Sequence, residues 1–373
     1  MSPAESATEA ATAASPDPAG PAPGTAPGRG AAPRRAADVL SDSRDLVVPA
    51  LREAVEGLPP TMGRIAGYHF GWCDGDGVPV AEGGGKALRP ALVLLAAEAV
   101  GGDARRALPA AVAVELVHNF SLLHDDVMDG DTTRRHRPTA WTVFGAGPAV
   151  LAGDALLTLA FEEVSRGGSQ VGAHRAAEAG RVLAAAVQDL IGGQSADLSF
   201  EQRGDVGLEE CLSMAHGKTG ALMACCTALG ALWAGAGPAR VGAMHDFGAD
   251  LGLCFQIADD LLGIWGDPEV TGKPVHSDLR SRKKTLPVVA AVASGTAAGD
   301  ELHALMGGHE RLSDSEAEHA AGLVEEAGGR AWAAGRADVL LENAMEALRT
   351  AVPHGRHREE LASLARLAAH RDG

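Results

Sequence analysis

Residues 109–129 read "PAAVAVELVHNFSLLHDDVMD". Apolar side chains recur there at three- and four-residue spacing, which predicts a helix with one buried face, and the run ends in three carboxylates, Asp125, Asp126 and Asp129. The same spacing returns in "ALRPALVLLAAEAV" (87–100), "AVLAGDALLTLAFEEVSR" (149–166), "HRAAEAGRVLAAAVQDLIGGQSADLSF" (174–200) and "ARVGAMHDFGADLGLCFQIADDLLGIWG" (239–266). Gly, Pro, Asp and Thr punctuate the stretches between them. No short β-branched runs alternate with these segments, so a doubly wound sheet is excluded and an all-α bundle is expected. The 48 glycines weaken the expectation of unbroken helices, because each costs roughly 1 kcal/mol inside one.

A formal charge of −17 opposes a general nucleic-acid or anionic-membrane surface while leaving room for local phosphate binding. The five cysteines lack metal-ligand spacing and read as reduced structural thiols of a cytoplasmic protein. No secretory signal precedes the helical region, and the apolar runs are too short or too interrupted by acids for a transmembrane segment. Residues 1–36 are nearly all Ala, Pro, Gly, Ser, Thr and Glu, and they predict a disordered arm because they bury too little to offset their ordering entropy. Residues 37–373 read as one all-α domain.

Asp125 and Asp129 stand four apart and share a helix face, whereas Asp126 is turned about 100° away. Paired carboxylates of this kind favour Mg²⁺ shared with substrate phosphates. A second acidic helix end, Asp259 and Asp260 with Gln256 one turn earlier, supplies an opposing wall. The chain has only five lysines, Lys86, Lys218, Lys273, Lys283 and Lys284, all in polar motifs of an otherwise arginine-using sequence. Arg89, Arg134 and Arg135 offer the rigid forks that suit diphosphate oxygens. Together with the apolar helices, these cations imply a substrate with a diphosphate head and a hydrocarbon end. His118 lies two turns before Asp125 on a similar face, either as a phosphate contact or as an ordinary polar helix residue. Trp141, Trp233 and Trp265 read as core or interface residues. The "GKTG" stretch lacks the preceding glycine pattern of a P-loop.

In order along the chain, "GGGKALRP", "ELVHNFSLLHDDVMD", "RRHRPT", "GD" at 153–154, "HGKTG", "FQIADDLLG" and "GKPVHSDLRSRKKTLP" resemble the trans-isoprenyl diphosphate synthase family, over roughly residues 45–350. The resemblance implies an isoprenoid-synthase-type helical bundle around a deep central cavity, in a homodimer. It implies that Asp125, Asp129 and Asp259 hold Mg²⁺, with three ions per site. Arg134, Lys218 and Lys273 would steady the allylic diphosphate. Lys86, Arg89, His118 and Arg135 would receive isopentenyl diphosphate. Thr219 and Gln256 would line the reacting carbons, and Lys283 would sit at the closing end of the site. Phe120, Ser121 and Val117 would form the floor that limits product length, and a single aromatic there resembles the geranylgeranyl-forming members. Farnesyl diphosphate synthase, a class I terpene cyclase and a non-catalytic partner subunit are the alternatives.

One departure stands out: Gly263 occupies the place of the last acid in the second aspartate motif, and Asp267 follows a turn later. The resemblance also gives the arm a second reading, as a segment docking the enzyme to a protein-shell compartment or scaffold through "AADVLSDSRDLV" (36–47). Under either reading, removal of residues 1–36 is expected to leave turnover unchanged.

Overall fold

Helices account for nearly all regular structure in the computed structural model, which describes residues 32–80, 87–268, 274–308 and 310–369. They are α1 (Ala36–Glu56), α2 (Pro60–His69), α3 (Leu88–Ala99), α4 (Leu108–Met128), α5 (Ala140–Phe144), α6 (Ala146–Arg166), α7 (Gly168–Val171), α8 (Ala173–Glu201), α9 (Leu208–Ala215), α10 (Ala221–Trp233) and α11 (Pro238–Trp265). Six more follow: Ser277–Arg280, Leu286–Val292, Ala297–Met306, Asp314–Glu326, Gly329–Ala351 and Arg356–Ala369. The all-α architecture expected from the spacing is the one observed.

Every residue of α10 is buried, as a helix apolar on all sides must be. It packs against α3, α8 and α11, while α4 runs along α6 and α11 along Gly329–Ala351. The glycines that weaken helix propensity serve close contact here. A Cβ at Gly230 of α10 would lie 2.2 Å from the Val93 carbonyl oxygen of α3, so only glycine lets these two helices approach so nearly.

Ala104–Met128 is long and apolar enough to cross a bilayer, but 67% of its apolar 18-residue window is buried inside the bundle. All five cysteines are free thiols, four of them buried, in keeping with the structural role expected of them.

The folded unit begins earlier than composition indicated. Arg34 donates from its backbone amide and Nε to Glu360 Oε1 at 2.9 and 3.1 Å, and its Nη2 reaches Glu360 Oε2 at 2.9 Å and Glu98 Oε2 at 3.0 Å. The Glu360 side chain is fully buried, so this guanidinium is what makes the carboxylate tolerable there. Glu98, His357 and Glu360 bring ligand atoms within 4.8 Å of one another, and Arg34 supplies the positive charge at that point. The stretch 36–47 forms the first turns of α1, with Val39, Leu40, Ser43 and Val47 in the core. It is therefore not a free adhesive segment. A docking role for the arm is confined to residues 1–31, which lie outside the described residues, as does the expectation that they are disordered.

The expectation for truncation changes accordingly. Removing residues 1–36 is expected to destabilise the protein by about 3 kcal/mol relative to removing 1–31, because it strands Glu360 as an unpaired buried charge. Thermal melts of the two truncations, with Arg34→Ala in the full chain as a third sample, check this. Equal melting temperatures would contradict it.

Candidate active site

α4 begins with Pro109 in its first turn and ends at Asp129, whose amide donates to the Asp125 carbonyl at 2.8 Å. Asp125 and Asp129 therefore stand one turn apart. Asp126 turns away, as its 100° offset requires: it is buried and accepts a hydrogen bond from Arg134 Nε at 2.7 Å. Burial pushes the Asp125 carboxyl up to about 6; Lys218 opposes that shift and Asp129 adds to it. Asp129 is raised for the same reason, burial first, again against Lys218. Two partly desolvated carboxylates one turn apart, displaced toward the neutral acid, form an oxygen donor set short of positive charge, and that set fits Mg²⁺.

After Asp129 the chain reverses in a small hairpin that the helical pattern did not foretell, β1 (Thr133–Arg134) paired antiparallel with β2 (Arg137–Pro138). Its central residues, Arg135 and His136, have φ of 51° and 61°, the left-handed geometry that a two-residue type I′ connection demands. Neither is glycine, at roughly 1 kcal/mol each. Bonds on either side offset this. Arg134 holds Asp126, and Arg137 donates to the carbonyls of Tyr68 at 3.1 Å and Cys73 at 2.9 Å while lying over the Tyr68 ring.

The result is a cavity of about 200 Å³ lined by Tyr68, His69, Asp126, Arg134, Arg135 and Arg137, among others. Burial, then Arg135 and Arg134, press the His69 imidazole down to about 3, so it is neutral. His118 is depressed by burial, then by Arg89 and Arg135. Its Nε2 lies 3.3 Å from Arg89 Nη1, so the neutral ring can accept from the guanidinium. Arg89 and His118 are thus in contact, and Arg135 bears on the same imidazole.

Lys218 sits in a π-helical turn, His216–Gly220, between α9 and α10. Such turns commonly mark functional positions. Its Nζ is 2.6 Å from Asp197 Oδ2 of α8. Close packing fixes this turn, since a Cβ at Gly193 would lie 2.2 Å from the Lys218 amide nitrogen. Thr219 Oγ1 donates to Gln256 Oε1 at 2.6 Å, Gln256 Nε2 donates to Asp260 Oδ1 at 2.8 Å, and the Leu286 amide donates to Asp260 Oδ2 at 2.9 Å. The second acidic pair therefore divides its labour. Asp260 is buried and committed to this chain, whereas Asp259 is exposed. Asp267 lies exposed beyond the end of α11.

Lys86 and Lys273 fall outside the described residues. Phe120 is buried, its ring edge-on to His124 at 4.9 Å. Val117 and Ser121 are buried beside it, the Ser121 hydroxyl donating to the His118 carbonyl at 2.8 Å. The "GD" pair also acquires a reason: His124 Nε2 lies 2.3 Å from where a Cβ on Gly153 would be. Sequence reasoning missed Asp197, His69 and the Glu115–Asn119 contact at 3.0 Å. None of these has a motif signal, although Asp197 could have been sought as the acid that a half-buried lysine requires.

A family model described as polyprenyl synthetase matches residues 78–324. The chain belongs to the polyprenyl synthetase family. It is similar to a (2E,6E)-farnesyl diphosphate synthase of Mycobacterium tuberculosis, with 52% identity over 82% of this chain and 84% of that protein. A geranylgeranyl diphosphate synthase of the same species is 48% identical, over 82% of this chain and 86% of the relative. The crystal structure of a polyprenyl synthetase from Streptomyces coelicolor superposes with a TM-score of 0.83 at 48% identity, covering 89% of this chain and 98% of that one. The trans-isoprenyl diphosphate synthase resemblance and the all-α isoprenoid-synthase fold are thereby established. Like its polyprenyl synthetase relatives, the chain is a prenyltransferase of Mg²⁺-dependent type.

Proposed function

We propose that the protein condenses isopentenyl diphosphate with allylic diphosphates and releases geranylgeranyl diphosphate as its main product. The observation that supports this reading is that the cations fall into two groups, each able to receive a diphosphate. One is the Asp125–Asp129 wall with Lys218 and Arg134, the two cations whose fields bear on Asp125. The other is the cluster of Arg89, His118 and Arg135. A terpene cyclase, which ionises a single diphosphate, has no use for the second.

Asp125, Asp129 and Asp259 would hold Mg²⁺, three ions in all, which when bound supplies positive charge to the departing diphosphate. Lys218 and Arg134 hold that leaving group from the protein side, with Lys273 as a further candidate. Arg89, Arg135, His118 and Lys86 orient isopentenyl diphosphate. Thr219 and Gln256, locked together at 2.6 Å, present fixed dipoles to the reacting carbons. The apolar faces of the bundle exclude water from the cation that forms, and Lys283 stands at the closing end of the site. Ser121, a small residue beside the single aromatic Phe120, leaves more depth for the tail than two adjacent rings would, which favours geranylgeranyl over farnesyl diphosphate.

The chain is also inferred to be cytoplasmic and to act as a homodimer, and the exposed apolar side chains Val143 and Leu151 on neighbouring helices α5 and α6 support the dimer. Light scattering tests the dimer.

Incubation with geranyl diphosphate, with and without isopentenyl diphosphate, tests the activity. Elongated alcohols after dephosphorylation, formed only when both substrates are present, are the expected result. Cyclised hydrocarbon without isopentenyl diphosphate would indicate a cyclase. Inactivity alone with stimulation of a second synthase would indicate a partner subunit.

A further inference from the structure

His69, the last residue of α2, carries a buried Nε2 that has no hydrogen-bond partner among the described residues. A polar atom taken out of water and left unmet is destabilising, and it points to a partner still to arrive. The ring stands in the wall of the cavity of about 200 Å³ that Tyr68, Asp126, Arg134, Arg135 and Arg137 also line. Its place there is fixed. The Tyr68 hydroxyl donates to the Pro138 carbonyl at 2.8 Å, and Arg137 donates to the Tyr68 and Cys73 carbonyls, so the end of α2 and the β1–β2 hairpin are clamped together.

The three guanidinium groups of this cavity are differently employed. Arg134 is tied to Asp126 Oδ1 at 2.7 Å, and Arg137 is committed to the two carbonyls. Arg135 is lowered from the ordinary arginine range by burial, which the fields of Glu115 and Asp126 do not offset. A cation in that state is short of an anion. Arg135 and then Arg134 are the charges that press hardest on His69, and His69 bears in turn on His118, the ring that meets Arg89. A side chain from α2 is thereby joined to the cations assigned to isopentenyl diphosphate.

We propose that His69 is a further binding residue for isopentenyl diphosphate, its Nε2–H donating to a diphosphate oxygen that Arg135 also holds. The ring acts as a neutral donor, which adds no repulsion to a wall already crowded with guanidinium groups. The arriving anion gives Nε2 its acceptor and Arg135 its counter-charge through charge-assisted hydrogen bonds. Asp126 Oδ2, also without a partner among the described residues, is a rival acceptor in the same cavity. A water bridging it to His69 would make the imidazole a structural residue, and the test separates the two. The proposal rests on the isopentenyl diphosphate reading of Arg89, His118 and Arg135 above.

The test is steady-state elongation of geranyl diphosphate by the full chain, with each substrate varied in turn and a thermal melt of every variant. His69→Leu removes the donor and is expected to raise KM for isopentenyl diphosphate about tenfold. Its kcat and its KM for geranyl diphosphate are expected to stay within about twofold of wild type. His69→Gln offers an amide donor at a similar reach and is expected to restore KM to within about threefold. If His69→Leu does not fold, His69→Asn, whose amide stops short of the Nε2 position, takes its place with the same rise expected. A wild-type KM for isopentenyl diphosphate in the variant without the donor would overturn the proposal, as would equal rises in KM for both substrates. A lower melting temperature with both KM values unchanged would do the same and would mark a water bridge to Asp126. A Gln variant no better than Leu would also overturn it. Arg89→Ala is the control. If it leaves KM for isopentenyl diphosphate unchanged, the reading of that cluster fails and this proposal with it; if it raises KM while the His69 variants do not, the reading stands and this proposal alone falls.

Discussion

Asp125→Ala is expected to lower turnover by roughly three orders of magnitude or more, since it removes one of two carboxylates poised to hold the charge that balances a departing diphosphate. The helix content should not change. Asp125 stands near the end of α4, half-buried and outside that helix's core-packed residues. Burial, together with Asp129, already disfavours its charged form, so deleting the side chain relieves repulsion within the wall. The melting temperature without Mg²⁺ should therefore stay level or rise slightly. Asp126→Asn provides a contrast: its effect should be smaller and should pass through Arg134, the group that Asp126 holds at 2.7 Å. Turnover at saturating Mg²⁺, with circular dichroism of each variant, decides the matter. Wild-type activity in Asp125→Ala would remove the aspartate pair from the mechanism.

Phe120→Ala is expected to shift the product toward longer chains. Phe120 lies five residues before Asp125, about 7.5 Å along the helix at 1.5 Å per residue, and on the proposed reading a ring there would shorten the tail that can descend from the aspartates. In the structure the ring is buried against His124, and His124 is fixed by its contact with the Val150 carbonyl at 2.9 Å. The ring is therefore a supported one: it cannot swing aside without displacing an imidazole packed on Gly153. Truncation should open a void that costs about 3 kcal/mol or more while empty and that a longer tail can fill. The expected signature is thus a lower melting temperature without substrate together with longer products, read by chromatography of the dephosphorylated alcohols. Phe120→Leu should give an intermediate distribution. An unchanged product limit in both variants would place the floor at Val117 or on an opposing helix.

The Arg135–His136 turn shows why part of the site was hidden in the sequence. Nothing in "RRHRPT" signals left-handed backbone at two consecutive non-glycine residues, and local preference argues against it. The geometry exists because Arg134 and Arg137 are anchored to Asp126, Tyr68 and Cys73, residues supplied by other elements. The glycines misled in the opposite sense. Read locally they weaken helices, yet at Gly230 and Gly193 they allow the helices to meet.

The helical bundle, the pairing of Asp125 with Asp129 and the turning of Asp126 away from them were all determined by the sequence alone, because a 3.6-residue period carries them and needs no partner. The motif resemblance grouped Arg89, His118 and Arg135 and named Thr219 and Gln256 before any packing was known, but the hydrogen bond that locks the last two together came only with the structure. Only the tertiary structure decided that Arg34 belongs to the fold, that Lys218 is held by Asp197 and that Asp278 fills the place beside Gly263. Each of these joins residues from different helices, Arg34 and Glu360 being 326 positions apart. Such contacts depend on which helix faces are buried against each other and at what separation, and no local spacing records that.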